Sequence, residues 1–237
     1  MKSILITGAS SGIGRATALE FLNAGWRVGL LARRTNALNE VAQAHENAIA
    51  LPCDVTDAQA MQDAFARFIA KAGRLDALFN NAGIFGVSAP IDEVPLDTFD
   101  QVVAVNLRGM FIAARLAFGE MRNQTPQGGR IINNGSLSAH VPREGSICYT
   151  TTKHAITGMT RTLSLDGRPY DIACGQIDIG NATSEMVVAL KEVQPDMQVM
   201  DVAHAARSVL HMAQLPADAN VQFMTVMATK MPYIGRG

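Results

Sequence analysis

Seven short, uniformly apolar runs alternate along this chain with longer amphipathic ones, and no other feature narrows the choice of fold so far. The runs are SILIT (3–7), RVGLLA (27–32), AIALP (48–52), ALFN (77–80), RIINN (130–134), IACGQID (172–178) and VQFMTVM (221–227). A strand with one wet face alternates apolar and polar residues. Most of these do not, so they read as parallel strands covered on both sides. Segments 13–24, 36–46, 57–72, 97–121, 149–166 and 201–213 read as helices, with Asp57 and Asp97 as N-caps and Gly25 and Gly73 as stops. The alternation predicts an α/β fold: a doubly wound, seven-stranded parallel sheet with helices on both faces, binding ligands beyond the carboxyl ends of its strands. At 237 residues, 48% of them hydrophobic, the chain suits a single domain over 1–237, and no linker or repeat divides it.

Charge narrows the list of partners. Twenty Lys and Arg stand against 21 Asp and Glu, for a net charge of -1 and no basic run. That argues against nucleic acid or an anionic membrane. The apolar start is too short for a signal peptide, and no apolar stretch approaches spanning length. Cys53, Cys148 and Cys174 form no CxxC pair and suggest no metal set. Reduced cysteines in a soluble, cytoplasmic protein are expected.

The first strand runs into TGASSGIG (7–14), which places Gly8, Gly12 and Gly14 between strand and helix. Glycine lets the backbone turn tightly against a pyrophosphate, and the helix start, from Ile13 onward, offers amide donors and a positive dipole end. Ser10 and Ser11 add hydroxyls. At the end of the second strand, where an acid would hold the adenosine ribose, the chain has Ala32, Arg33 and Arg34. Two guanidiniums can clamp a 2'-phosphate, so NADP(H) is expected over NAD(H); the alternative is that they only cover the start of the second helix.

In CYTTTKHAI (148–156), Tyr149 and Lys153 sit one helical turn apart on one face. Taken together, TGASSGIG, Asp54, NNAG (80–83), Asn106, Ser136 and YTTTK (149–153) resemble the classical short-chain dehydrogenases/reductases over nearly the whole chain. The resemblance implies an oxidoreductase that moves a hydride between nicotinamide and a small or medium carbonyl/alcohol substrate. It implies Tyr149 as general acid–base, Lys153 on the nicotinamide ribose and Ser136 polarising the carbonyl, with Ser138 as competitor. Asn106 matches the residue that holds a water in the proton relay. An unperturbed tyrosine, with a pKa near 10, is a poor acid–base group at neutral pH, and a nearby ammonium favours its phenolate.

Further expectations follow from the same likeness. Asp54 and Val55 would meet the adenine, unless Asp54 only shapes its turn. Asn81, Ala82 and Gly83 would line the cofactor. After the sixth strand, Ile179 replaces the proline usual before Gly180, which leaves one amide for the carboxamide. Ser184, with Thr183 close behind, would supply a hydroxyl. Segment 183–200 would be the substrate lid, and HVPREGSIC (140–148) would border the pocket, where Arg143 and Glu144 could recognise a polar group. His140 is expected to be structural, and alkylation of Cys148 to inhibit by bulk. The final MPYIG is expected at a subunit interface or a neighbouring active site, in a homodimer or homotetramer. A non-catalytic NADP(H)-binding sensor is the alternative, disfavoured because both Tyr149 and Lys153 are present. An epimerase or dehydratase would need a longer C-terminal substrate domain.

Overall fold

The computed structural model describes residues 1–183 and 196–234. Seven parallel strands form one sheet: β1 (Ser3–Thr7), β2 (Arg27–Ala32), β3 (Ala48–Pro52), β4 (Ala77–Asn80), β5 (Gly129–Asn134), β6 (Ile172–Ile179) and β7 (Phe223–Val226), in the order β3-β2-β1-β4-β5-β6-β7. The order reverses between β1 and β4, where Ile4 pairs with Val28 on one side and Ala77 on the other. A crevice opens there, beyond the strand ends.

The continuous apolar runs have a direct cause. Ile4, Leu5 and Ile6 are all fully buried, yet Ile4 and Ile6 join one core with Phe21, Val28, Leu30 and Val209, while Leu5 joins the other with Leu51, Phe68, Leu78 and Met121. Helices α1 (Gly12–Asn23), α2 (Thr35–Ala44) and α7 (Val202–Gln214) contribute to the first core. Helices α3 (Ala58–Ala72) and α5 (Met110–Asn123) contribute to the second, and α6 (Ile147–Gly167) packs on β6.

Local signals account for most helix ends. Asp57 accepts hydrogen bonds from the Gln59 and Ala60 amides at 3.0 Å, and Gly73 and Gly25 stop their helices in left-handed conformations. Asp97 is not a cap: α4 (Leu96–Val103) begins after Pro95, and Asp97 lies in its first turn.

The expected helix 97–121 is longer and irregular. It runs Leu96–Asn123, with a π turn at Ala104–Gly109 between α4 and α5. This corrects the expectation that no apolar stretch approaches spanning length, because the helix has 28 residues and a mean hydropathy of 1.5 over its apolar window. Val102, Met110, Ala113, Ala117 and Met121 are buried, so the apolar character includes a core-facing ridge.

A polar seam crosses the apolar sheet. Asn80, Asn133 and Gln176 are in register on β4, β5 and β6, and all are buried. Asn80 Nδ2 donates to Met110 O at 2.8 Å and to Asn133 Oδ1 at 3.3 Å; Asn133 Nδ2 donates to Thr160 Oγ1 at 2.9 Å; Thr160 Oγ1 donates to Gln176 Oε1 at 3.3 Å. Each amide has a partner, as a dry interior demands.

Candidate active site

A cavity of about 560 Å³ lies over the crevice and takes its walls from nearly every loop that leaves a strand's carboxyl end. One end is built on the glycine turn. Gly8 and Gly12 have φ of +69° and +50°; a Cβ on Gly14 would strike the Gly8 carbonyl, and one on Gly8 would lie 2.9 Å from Asn81 Nδ2. No side chain caps the first amides of α1, and no acid occupies its first turn. The turn therefore presents donors and a positive helix end beside the cavity wall formed by Gly8, Ser10, Ser11, Gly12 and Ile13.

Arg33 and Arg34 stand at the rim, as the sequence indicated. Arg34 Nε donates to Ser10 Oγ at 3.1 Å, and Arg33 lies 3.9 Å from Asp54 Oδ2 with both side chains well exposed. Asp54 does shape its turn: Oδ1 accepts from the Thr56 amide at 2.9 Å and its hydroxyl at 2.8 Å. It also lines the cavity beside Val55. Asn81, Ala82 and Gly83 form the floor. Thr7 Oγ1 accepts from the Asn81 and Ala82 amides at 2.9 and 3.0 Å, which ties this segment to β1. A trough with a glycine cradle at a helix start, arginines at its rim and polar backbone along its floor fits a dinucleotide.

The other end carries the candidate chemistry. Ser136 begins a short 3₁₀ turn, and its Oγ accepts from the Ser138 amide at 3.1 Å. With that lone pair engaged, the hydroxyl proton is available to a ligand. Ser138 Oγ is sealed from solvent and has no partner among the described residues, so Ser136 is the better placed of the two. Tyr149 is the third residue of α6 and lines the same cavity. One turn on, buried Lys153 donates from Nζ to Asn134 O at 2.7 Å and lies 5.3 Å from the Tyr149 ring centre.

Asn106 sits inside the π turn, fully buried. Its Oδ1 accepts from Ile84 N and its Nδ2 donates to Ile84 O, both at 2.8 Å; Nδ2 also reaches Thr152 Oγ1 on α6 at 3.3 Å. The side chain thus clamps the loop after β4 against α6.

Several contributors were not visible in the sequence reading. Asp178, 1% exposed, accepts from Ser136 N at 2.9 Å and Gln176 Nε2 at 2.8 Å on Oδ1, and meets His140 Nε2 at 2.8 Å on Oδ2. His140 is structural, as expected, and it braces the carboxylate that holds Ser136. The legible signal was an acid closing an otherwise apolar strand. Asn134 seats Lys153 through its carbonyl and gives its side-chain amide to Asn81 Oδ1 at 2.9 Å. Phe85 stacks on Tyr149 with ring centres 5.2 Å apart.

The C-terminal stretch reaches back to the cavity. Met231, Pro232 and Tyr233 line this chain's own cavity. A Cβ on Gly180 would come within 2.8 Å of Met231 Sδ, so the glycine lets that stretch approach. Ile179 ends β6 on the cavity wall, and the Gly180 amide goes to Val226 O at 2.8 Å. Ser184 and most of the expected lid lie outside the described residues. Thr183 does not offer a free hydroxyl: its Oγ1 donates to Met200 O at 3.0 Å and stitches together the two ends of the lid segment.

All three cysteines are buried and free. Burial, helped by Asp57 and Asp54, pushes the Cys53 thiol up to about 11; burial pushes Cys174 to about 12. Cys148 is 1% exposed, so bulky alkylation beside Tyr149 is blocked in the native fold.

The family model described as short chain dehydrogenase matches residues 2–195. The chain belongs to that family. This short-chain dehydrogenase is 38% identical over 187 residues to the uncharacterized oxidoreductase YxjF of Bacillus subtilis, covering 77% of the chain and 72% of the relative. It is 33% identical to the 2-(R)-hydroxypropyl-CoM dehydrogenase of Xanthobacter autotrophicus, over 91% of the chain and 88% of the relative. The closed form of a serine dehydrogenase complexed with NADP+ superposes with a TM-score of 0.92 at 22% identity, covering 99% of this chain and 98% of the other, a likeness of fold. As a member of the family, the short-chain dehydrogenase is an oxidoreductase of alcohol and carbonyl groups.

Proposed function

We propose that this short-chain dehydrogenase interconverts a small or medium carbonyl compound and its alcohol, prefers NADP(H) to NAD(H), and uses Tyr149 as its general acid–base. The observation that carries the reading is a single cavity with two arginines at one end and a serine, a tyrosine and a lysine at the other. Bound nicotinamide would supply or take up the hydride. The Gly8–Gly14 turn would hold the pyrophosphate, Arg33 and Arg34 the 2'-phosphate, and Asp54 with Val55 the adenine. Asn81, Ala82 and Gly83 would line the adenine ribose, Tyr149 and Lys153 the nicotinamide ribose, and Ile179, Gly180 and Ser184 the carboxamide.

Each catalytic side chain has a distinct task. Ser136 donates a hydrogen bond to the substrate oxygen and keeps its proton, and the Asp178 carboxylate fixes the backbone from which it does so. Tyr149 gives a proton to that oxygen in reduction and takes it back in oxidation. The Lys153 ammonium, anchored on Asn134 O, offsets the charge left on the phenol oxygen. A water at Asn106 completes the exit for the proton.

The cofactor preference rests on this chain's own residues, because fold neighbours do not choose: one is a complex with NADP+ and another, a 3-ketoacyl-(acyl-carrier-protein) reductase from Brucella melitensis, with NADH. Here β2 ends at Ala32 with no carboxylate, and two guanidiniums follow. A small substrate agrees with the name of the Xanthobacter relative. Three free, buried cysteines suit a reducing cytoplasm. Exposed Phe111 and Leu165, on the two long helices, support a homodimer or homotetramer, checked by light scattering.

The decisive experiment follows NADPH and NADH oxidation with a panel of ketones. NADPH is expected to win by about tenfold to a hundredfold in kcat/KM, the scale of one or two charge-assisted hydrogen bonds. Tyr149→Phe is expected to lower kcat by a factor of about 10²–10⁴. A preference for NADH would overturn the role of the arginines and leave the catalytic reading standing.

A further inference from the structure

The substrate end of the cavity is lined chiefly by apolar groups, among them Ile84, Phe85, Val105, Val141 and Met231. One cation outside the catalytic set breaks that pattern. Arg143, half-buried in the loop before α6, lines the cavity with its guanidinium carbon 6.0 Å from the Phe85 ring centre. Phe85 in turn stacks on Tyr149. A single aromatic ring therefore separates the guanidinium from the catalytic phenol.

Arg143 has no ion pair and no side-chain hydrogen bond among the described residues. Its neighbour Glu144 is exposed and makes no ion pair there either. Among the described residues, the one carboxylate that lines the cavity is Asp54, at the opposite end, where Thr56 and Arg33 engage it. Among the described residues, the charged groups that line this end of the cavity are Arg143 and Lys153, both positive; the Asp178 carboxylate lies behind Ser136 and is engaged by its amide and by His140. A planar fork of N–H donors near an aromatic ring at 6.0 Å, with no partner among the described residues, has its hydrogen-bonding edge free for an oxyanion.

We propose that Arg143 is the specificity-determining residue of this site, binding an anionic group on the substrate: a carboxylate, sulfonate or phosphate joined by a short chain to the carbonyl or alcohol that meets Ser136 and Tyr149. The inference rests on the carbonyl/alcohol reading above and adds the class of substrate. Phe85 sets the spacing between the two ends of the substrate. The apolar walls accommodate the carbon chain between them and exclude a second charge.

The test separates the subsite from the chemistry. Protein saturated with NADP+, in which an oxo compound binds but cannot be reduced, is titrated by thermal shift with short oxo-carboxylates, oxo-sulfonates and oxo-phosphates and with the methyl esters of the carboxylates. The same compounds are then offered with NADPH to wild type, Arg143→Gln and Arg143→Lys. Acids are expected to raise the melting temperature where their esters do not. In turnover, an acid-over-ester preference of at least about tenfold in kcat/KM should collapse toward unity in Arg143→Gln, chiefly through KM, and return in part in Arg143→Lys. The sulfonate and phosphate arms identify which oxyanion is bound best. Esters binding as well as acids, acids binding Arg143→Gln as well as wild type, or no anion binding at all would each overturn the proposal. Arg143-dependent binding without turnover of any compound would uphold the anion site and sink the reductase reading instead.

Discussion

At the scale of single residues, Asp178 is the least replaceable group that does not face the substrate. Its carboxylate is the shared acceptor for Ser136 N, Gln176 Nε2 and His140. Asp178→Ala would orphan buried donors at about 1–3 kcal/mol each. The variant is expected to lose about 2–4 kcal/mol in denaturant unfolding and at least tenfold in kcat, with little change in the dissociation constant for NADPH. A fall in kcat without loss of NADPH binding would distinguish slack positioning of Ser136 from general collapse. Cysteine chemistry gives a second test. The thiolate is the reactive form and appears only as pH rises through the folded pKa, here about 11 for Cys53 and about 12 for Cys174. At pH 8 the thiolate is then about one part in a thousand or less. A thiol reagent should therefore modify neither residue in the native protein, and should count all three cysteines after denaturation. That Tyr149, Lys153 and Ser136 meet at one cavity was legible through the family resemblance, which is carried by residue type and spacing. The Asp178–His140 pair was not, since 38 positions separate its members and only the fold brings them together.

Among the elements, the strands were the easiest to read. A strand buried on both faces is mostly apolar, with any polar residue paired inside, and the seven runs contain all seven strands to within a residue or two at their ends. The π turn left no such mark. AVNLRG is unexceptional as helix sequence, and what opens the turn is contact: Asn106 on Ile84, and Gly109 so close to Val55 that a Cβ would lie 2.9 Å from its methyl. Arg130 shows how a strand can hold a distant loop. It is buried on β5 and donates to Ala219 O at 2.8 Å, Asn220 Oδ1 at 2.9 Å and Leu215 O at 3.4 Å, just past the end of α7. Burial lowers its pKa, yet it remains a cation at a helix C-terminus, where the dipole favours one. Arg130→Met should cost about 2–4 kcal/mol, from several carbonyls left without a donor. Faster amide exchange confined to the segment joining α7 to β7 would locate that loss.

For the molecule as a whole, the cavity is a joint product of both halves of the sheet, so whatever fills it should fasten the halves together. A ligand at a hundred times its dissociation constant stabilises by about 2.7 kcal/mol, which in a domain of this size is a rise of roughly 5–10 °C in melting temperature. NADP+ is expected to give that rise, and the double variant Arg33→Ala/Arg34→Ala to lose most of it with NADP+ while keeping its response to NAD+. Equal shifts with the two nucleotides in wild type would refute the arginine clamp. The helix Leu96–Asn123 serves the same unity in another way. A π turn is an α-helix carrying one surplus residue, and its wider winding absorbs that residue: deleting one of 104–109 would restore ordinary winding and leave the two halves in nearly the same phase. Met110, Ala113 and Ala117 would then still face the sheet, while the bulge that carries Asn106 onto Ile84 would be gone. In a library of variants, single-codon deletions in this segment should therefore spare folding more than turnover, because what they erase is the one protrusion that brings Asn106 to its neighbours.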